Sequence, residues 1–282
     1  PVRRGRRRRR RRAEPAHRLT IADRIATRSW QACPMTLLLR IDWSPDATEV
    51  GIVDIAAHTT LATASETHHP ATPGHDVDRW LQSAATASRA ALDSLAALGP
   101  TATDIRMVMV HTSAEGGLIA LDANGAPVHD ALLGTHADSA PDAAWLVKHA
   151  EGGDDGWIDA SGVLPTSGST VALLSWLHRS DPDAWAAMTR CTVPVGLLAE
   201  RLGARPAIGE LDAVGTAVAD RRSPREWRTD LLSVVDGGRD WLATMPEIVD
   251  AATPIGVLTD DAAAALGLPA GRPLHIGSLL PA

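Results

Sequence analysis

The sequence predicts an α/β fold in which helices pack on a mixed sheet. Near the start of the chain, several apolar and β-branched runs flank one long segment of helical periodicity. The predicted order is three strands, a helix and a fourth strand, at residues 37–43, 48–55, 58–66, 76–98 and 105–111. Three successive strands, a crossover helix and a returning strand are typical of a layered α/β domain.

Turn and capping residues support these boundaries. Pro45-Asp46 and Ala57-His58 interrupt the three apolar runs at points where a strand would end. In the helical segment, Asp76 is placed to cap the first turn, and Gly99-Pro100 ends the pattern. The first half of the chain therefore has both the periodicity and the punctuation of its predicted elements.

Later elements are predicted from the same signals. Asn124-Gly125 is a strong turn dipeptide, so strands at 117–122 and 126–133 are expected to form a hairpin. An acidic, glycine-rich turn is expected at 151–156. Helices are expected at 139–150, 168–179, 182–188, 194–202, 224–233 and 259–266.

Composition is that of an ordinary globular protein. The chain has 282 residues, of which 45% are hydrophobic and 22% are charged. No apolar run approaches the ~20 residues that a membrane span needs, so no membrane partner is expected. The two cysteines, Cys33 and Cys191, form neither a disulfide framework nor a metal-ligand pair. A cytoplasmic location is the expectation.

Charge divides the chain into a basic tail and an acidic body. Residues 1–34 hold twelve Arg and two acidic residues, a net charge of +10, and residues 35–282 carry −17. We expect the tail to be disordered, because seven consecutive Arg repel one another. Nucleic acid is expected to bind only through this tail. The alternative is that the tail is not native and that the natural chain starts at Met35.

Six segments are similar, in order, to one protein family. They are Asp42-Trp43-Ser44-Pro45-Asp46, Gly74–Trp80, Ile105–Asp122, Trp176–Asp183, Glu210–Thr216 and Pro254–Gly271. Through them, residues 36–277 resemble the first domain of the FGGY carbohydrate kinases, most closely the xylulose kinases. The resemblance implies a ribonuclease H-like domain of the actin/sugar-kinase ATPase superfamily, with a mixed sheet flanked by helices.

The resemblance also implies ligands and a reaction. The family transfers a phosphoryl group from ATP, with Mg²⁺, to a sugar hydroxyl, here a pentulose or a related sugar. The implied cofactor-binding residues are Asp42, Ser44 and Asp46, and Asp42 is also the implied metal ligand. The implied substrate-binding residues are His75, Asp76, Glu115, Gly116, Gly117 and Asp212. Two of these carboxylates have a simpler interpretation, Asp42 as a solvated strand-end acid and Asp212 as a turn acid.

Several motif positions depart from the family. Asp42-Trp43-Ser44-Pro45-Asp46 stands where the family has Asp-Leu-Gly-Thr-Ser. Trp43 is taken to occupy the position of the glycine, and Pro45 removes a donor. The Trp43 ring is therefore expected to lie where phosphate should approach. Glu115-Gly116 replaces a Met-His pair, so the sugar-contacting histidine is lost. Gly134–Asp138 replaces Trp-Asn-Asp-x-Arg.

The catalytic base has no counterpart by resemblance. The family carries it as an Asp in a Gly-Gly-Gly-Asp-Asn segment that opens the second domain, and residues 277–282 contain no Asp. No catalytic residue is therefore assigned. The predicted division is a tail at 1–34, a kinase-like first domain at 35–275, and the truncated start of a second domain at 276–282.

Three functions follow from these expectations. The chain is predicted to be a degenerate or truncated xylulose-kinase-like domain that is inactive alone. One alternative is an active half that needs a separately encoded ATP-binding domain. The other is a non-catalytic binding or scaffold protein that uses the old cleft. The partly apolar interdomain face, extended by Ile276, Leu279 and Leu280, is expected to form a homodimer or to dock a separate second domain.

Overall fold

A computed structural model describes residues 36–68, 77–112, 116–134 and 136–277. Its centre is a six-stranded sheet with the strand order β3-β2-β1-β4-β10-β9. The strands are β1 (Leu37–Trp43), β2 (Ala47–Asp54), β3 (Thr59–Thr67), β4 (Ile105–Thr112), β9 (Gly256–Val257) and β10 (Pro273–Ile276). The predicted α/β fold with a mixed sheet is confirmed.

The sheet is parallel at its centre and antiparallel at both edges. Strands β1 and β4 pair in parallel, and β4 pairs in parallel with β10. The meander β1–β2–β3 is antiparallel, as the short turns between these strands require. The carboxyl ends of β1, β4 and β10 therefore lie at the same edge of the sheet.

Alternation along β1 separates a core face from a polar face. Leu37, Leu39, Ile41 and Trp43 belong to the main hydrophobic cluster and are buried. Helix α1 (Val77–Ala96) covers this face and contacts β2 and β3. Arg40 and Asp42 lie on the opposite face, because successive strand residues point to opposite sides.

A second hydrophobic cluster is built from residues between β4 and β9. It includes Leu118, Trp157, Leu173, Leu177, Trp185 and Trp241. Two small sheets lie in this part of the chain: β5 (Ile119–Leu121) with β6 (Arg190–Thr192), and β7 (Ala207–Gly209) with β8 (Glu247–Val249). Within the described ranges, no helix is both long and apolar enough to cross a membrane.

Ten α-helices occur in the described part of the chain. After α1 they are α2 (Ala140–His149), α3 (Gly153–Ser161), α4 (Thr170–Ser180), α5 (Pro182–Ala187), α6 (Pro194–Leu202), α7 (Glu210–Gly215), α8 (Thr229–Leu232), α9 (Trp241–Thr244) and α10 (Asp260–Leu266). The helices predicted to begin at 139, 168, 182, 194 and 259 are confirmed to within two residues. Helices α3, α7 and α9 were not predicted.

Two predicted elements are wrong in detail. The segment at 151–156 is not only a turn, because α3 begins within it at Gly153. The helix expected at 224–233 is reduced to the single turn of α8. Upstream of α8, Asp220 donates its backbone N–H to Glu226, and Arg228 donates to Val218. This local pairing uses backbone groups that a longer helix would need.

The predicted hairpin at Asn124-Gly125 keeps its turn but not its partner strand. Asp122 accepts hydrogen bonds from the backbone N–H groups of Asn124 and Ala126 through its carboxylate. Across the turn, however, only isolated bridges form, such as Leu118 with Leu132. The ladder of β5 is made instead with β6, about 70 residues further on, a pairing that local sequence signals do not encode.

The last strand continues through the predicted domain boundary. Ile276 was expected to extend an exposed apolar face, and this prediction is wrong, because Ile276 is fully buried in β10. Gly277 then donates its backbone N–H to Val110 of β4. Leu279 and Leu280 lie outside the described residues. The division of the chain at residue 275 stays a prediction.

Candidate functional site

Polar side chains collect at the carboxyl edge of the parallel strands. Asp42 lies near the end of β1, and the register of the sheet places His111 of β4 directly beside it. Gly277 follows β10 at the same edge. In open α/β sheets this edge is where ligands bind, because loops and helix termini open there.

Both carboxylate oxygens of Asp42 have a cationic or hydrogen-bonding partner. Arg40 donates from Nε to Oδ2 at 2.6 Å, and Nδ1 of His111 lies 3.1 Å from Oδ1. The side chains of Arg40, Asp42 and His111 are 28%, 20% and 27% exposed, so the group is partly desolvated. Asp42 is therefore neither a freely solvated strand-end acid nor an open carboxylate.

Sequence reasoning missed Arg40 and His111. The available signal was alternation, since Arg40 and Asp42 are two residues apart on one strand and share a face. His111 could be placed beside Asp42 only if β4 were known to pair in parallel with β1, and at this register. That pairing comes from the tertiary structure.

Asp212 joins this edge from a different element. It lies in the first turn of α7, directly after β7, and its Oδ2 accepts the backbone N–H of Gly209 at 3.1 Å. Burial raises the pKa of Asp212 to about 6, although the Gly209 hydrogen bond and nearby His111 both act to lower it. His111 therefore interacts electrostatically with Asp212 and contacts Asp42.

Close backbone packing holds Asp212 in place. A Cβ on Gly209 would lie 2.8 Å from Oδ2 of Asp212 and 3.1 Å from Cα of Gly277. Only glycine at position 209 leaves room for this approach, so β7 and the end of β10 come together there. The structure thus brings Asp42 and Asp212, two of the predicted site residues, to one edge.

Ser44 and Asp46 form a turn that is closed by its own hydrogen bonds. The Ser44 hydroxyl donates to the carbonyl of Ala47 at 2.9 Å and accepts the Ala47 backbone N–H at 3.1 Å. Asp46 is exposed, and its carbonyl accepts the backbone N–H of His68. Ser44 therefore directs its hydroxyl into the turn, and neither side chain contacts the group around Asp42 through any hydrogen bond found among the described residues.

The expected position of the Trp43 ring is wrong. Trp43 is 2% exposed, and its ring packs on Trp80 of α1 with centroids 4.8 Å apart. Alternation along β1 turns it to the core face, away from Asp42. In the five-residue alignment, Ser44 rather than Trp43 occupies the position of the missing glycine.

Gly116 and Gly117 form a backbone wall beside the C-terminal end of α7. Both have positive φ, +72° and +94°. A Cβ on Gly116 would overlap the carbonyl oxygen of Gly168 and lie 3.3 Å from that of Gly215. Gly117 donates to the Gly168 carbonyl at 3.0 Å. Gly116 therefore leaves no space for the side chain that the resemblance places there.

Comparison with known proteins places these features in a family. Residues 51–279 match the model of the FGGY family of carbohydrate kinases, N-terminal domain. The chain belongs to the FGGY family of carbohydrate kinases. This confirms the resemblance predicted from the motifs.

Relatives of this FGGY chain are sugar and autoinducer kinases. The xylulose kinase of Streptomyces coelicolor is 30% identical over 183 residues, which is 64% of this chain and 36% of the relative. The autoinducer-2 kinase of Klebsiella pneumoniae is 28% identical over 254 residues, 86% of this chain and 45% of the relative. The chain thus spans between a third and a half of the length of these relatives.

Solved structures confirm the fold. The crystal structure of xylulose kinase from Rhodospirillum rubrum superposes with a TM-score of 0.73 at 18% identity, covering 86% of this chain and 49% of that one. The predicted actin/sugar-kinase architecture is therefore correct for this FGGY domain.

The residues around Asp42 do not fit a magnesium ion. FGGY kinases generally use ATP and Mg²⁺. Mg²⁺ binds oxygen ligands in near-ideal octahedral geometry. Here Arg40 and His111 occupy both oxygens of Asp42. Among residues 36–68, 77–112, 116–134 and 136–277, no group of three or more His, Cys, Asp or Glu side chains could hold a metal ion.

Three predicted substrate-binding residues lie outside the described part of this FGGY chain. They are His75, Asp76 and Glu115. Their roles stay predictions.

Proposed function

We propose that this chain provides the sugar-binding half of a xylulose-kinase-like carbohydrate kinase and does not transfer phosphate by itself. The observation that carries the proposal is the meeting of Asp42, His111 and Asp212 at the carboxyl edge of the sheet in an FGGY domain. Such an edge gathers hydrogen-bonding groups from separate strands around one ligand.

A pentulose is the proposed substrate class. The support is the set of relatives named xylulose kinases, together with the chemistry of Asp212. Above its pKa of about 6, Asp212 is a carboxylate that accepts hydrogen bonds from sugar hydroxyls.

Phosphoryl transfer is proposed to need a second domain. The curated relatives extend well beyond the region matched by this chain, which is 36% of the S. coelicolor xylulose kinase. A general base must lie within hydrogen-bond reach of the reacting hydroxyl, and no residue here is assigned that role. Because Ser44 closes its own turn and Asp46 is exposed, we propose that ATP is held mainly by the second domain.

An apolar face beside Asp212 is the proposed docking surface for that domain. Leu211 and Val214 of α7 are 66% and 43% exposed, so this helix presents two large apolar side chains to solvent beside the polar site. A second domain closing over the edge would cover both residues. A two-fold homodimer through the same face is the competing outcome.

Activity of the chain alone tests the central proposal. A coupled assay of ADP release with ATP and xylulose is expected to give no turnover above background. Adding the C-terminal half of the S. coelicolor xylulose kinase is expected to produce turnover, and Asp212→Asn is expected to lower it. Turnover by the chain alone that is lost in Asp42→Ala would overturn the proposal.

Association tests the docking surface. Light scattering during size-exclusion chromatography is expected to show the chain binding the added C-terminal half, and Leu211→Ser is expected to weaken that complex. Leu98→Ser is the matched control, since Leu98 is 62% exposed but follows the C-terminal end of α1. A stable homodimer that Leu211→Ser dissociates would favour the scaffold alternative.

A further inference from the structure

Arg40 is the unexplained charge in the site. It precedes Asp42 by two residues on β1, so both side chains lie on the face of the sheet away from α1. Its Nε donates to Oδ2 of Asp42 at 2.6 Å, a short charge-assisted hydrogen bond. A guanidinium is positively charged in proteins, so this contact places a positive charge directly beside the carboxylate.

The guanidinium of Arg40 lies over the neighbouring strand. Arg40 pairs across the sheet with Gly51 of β2, and a Cβ at position 51 would lie 3.8 Å from Nη2 of Arg40. The methyl groups of Thr60 and Thr63 lie at similar distances from the same point, 3.9 Å and 4.0 Å. Arg40 therefore extends over β2, where its guanidinium lies at ordinary contact distance from position 51.

The second oxygen of Asp42 is also engaged. Nδ1 of His111 lies 3.1 Å from Oδ1, so the carboxylate meets a hydrogen-bonding partner on each side. A divalent ion at Asp42 would have to displace these partners and then lie beside the fixed positive charge of Arg40. Like charges at such distances repel strongly in a partly desolvated site.

We infer that Arg40 occupies the cation position at Asp42, so that this carboxylate engages its ligand without a divalent metal ion. In this arrangement the protein supplies from its own strand the positive charge that a metal ion would otherwise bring. The site is the one assigned above, so the functional role of Arg40 rests on the proposed function. Its test is independent, because ion binding is measured without phosphoryl transfer.

Manganese binding tests the inference directly. Mn²⁺ serves as the probe for a Mg²⁺-type oxygen site, and its free fraction is measured by electron paramagnetic resonance on the full chain. The wild type is expected to show no saturable binding in the millimolar range. Arg40→Gln, which keeps a long polar side chain and removes the charge, is expected to bind Mn²⁺ at least about tenfold more tightly.

Two further variants separate the site from general charge effects. Arg205→Gln removes one positive charge from an exposed pair with Glu247 and is expected to leave Mn²⁺ binding unchanged. Adding Asp42→Asn to Arg40→Gln is expected to abolish the gained binding, since a carboxylate is the ligand. Circular dichroism identifies any variant that fails to fold, and Arg40→Ala then replaces Arg40→Gln.

Three results would overturn the inference. One is saturable Mn²⁺ binding by the wild type that Asp42→Asn removes. Another is equal, weak binding by the wild type and by both folded Arg40 variants, because Arg40 would then not be what excludes the ion. The third is a gain in binding by Arg205→Gln as large as that of Arg40→Gln. Loss of kinase activity on complementation would bear only on the proposed function.

Discussion

Two parts of the candidate site are built in opposite ways. At the edge formed by β1, β4 and α7, polar and charged side chains remain and contact one another, as Arg40, Asp42 and His111 do. At the wall formed by Gly116 and Gly168, side chains are absent and backbone meets backbone. A charged edge can gain or lose a ligand through one substitution, whereas a wall of packed backbone cannot accept a side chain without moving the chain.

The largest effect is expected at the backbone wall. Gly116→Ala places a Cβ against the Gly168 carbonyl at a residue with φ +72°, so we expect a loss of at least about 3 kcal/mol in the free energy of unfolding. Urea denaturation followed by circular dichroism measures this loss.

Gly237→Ala is the control for the glycine substitution. A Cβ at Gly237 would lie 3.7 Å from the carbonyl of Ser233, an ordinary contact, so little change in stability is expected. If the two variants were equally stable, the backbone wall would be more adaptable than its packing indicates, and the contrast between the two parts of the site would disappear.

A smaller, pH-dependent effect is expected at Asp212. Because burial raises its folded pKa to about 6, the folded state holds its proton more tightly than the unfolded state. Its contribution to stability is therefore greatest near pH 4 and is lost as pH rises through about 6. Asp212→Asn removes this loss. At pH 8 we therefore expect the free energy of unfolding of the variant to exceed that of the wild type by about 1–3 kcal/mol.

Thermal or urea unfolding of both proteins, measured at several pH values across this range, gives the difference. The exposed Asp93→Asn variant in α1 controls for the loss of one negative charge. An advantage of Asp212→Asn that does not shrink toward low pH would show that Asp212 is not desolvated. The charged edge would then be more open than its contacts indicate.

The smallest effect on stability is expected from the Arg40 pair. Arg40→Ala removes one partly exposed ion pair, so we expect a loss of about 0.5–1 kcal/mol that decreases at high salt. Arg205→Ala, which removes a more exposed ion pair with Glu247, is the comparison. We expect it to lower the free energy of unfolding by less. A loss as large as that of Gly116→Ala would mean that the charged edge is as rigid as the backbone wall.

Local signals in the sequence determined most of the sheet and its covering helix. The apolar runs of β1, β2, β3 and β4 and the periodicity of α1 are long enough to define their elements without tertiary contacts. The same signals failed for strands of two to four residues, such as β6 and β9, because so few residues carry no periodicity. Their backbone partners are distant in sequence, and only the packed chain brings them together.

The family was also present in the sequence, together with two residues that the structure brings to one edge of the sheet. Asp42 and Asp212 were identified there as site residues, since short motifs retain residue identity and order. What the sequence could not supply was their neighbours. Whether Trp43 points into the cleft depends on strand alternation within a known sheet, and His111 reaches Asp42 only through the parallel register of β4.

Side-chain identity is thus determined by the sequence, whereas charge balance is decided by the fold. The motif predicts that Asp42 is a metal ligand. In the folded chain, however, Arg40 and His111 contact both of its carboxylate oxygens, because β1 and β4 pair. In the motif, Gly116 stands where the family has a histidine. In the structure, the carbonyl of Gly168 fills the space that a side chain would need. The physical reason is that both desolvation and close packing depend on atoms from segments far apart in the chain.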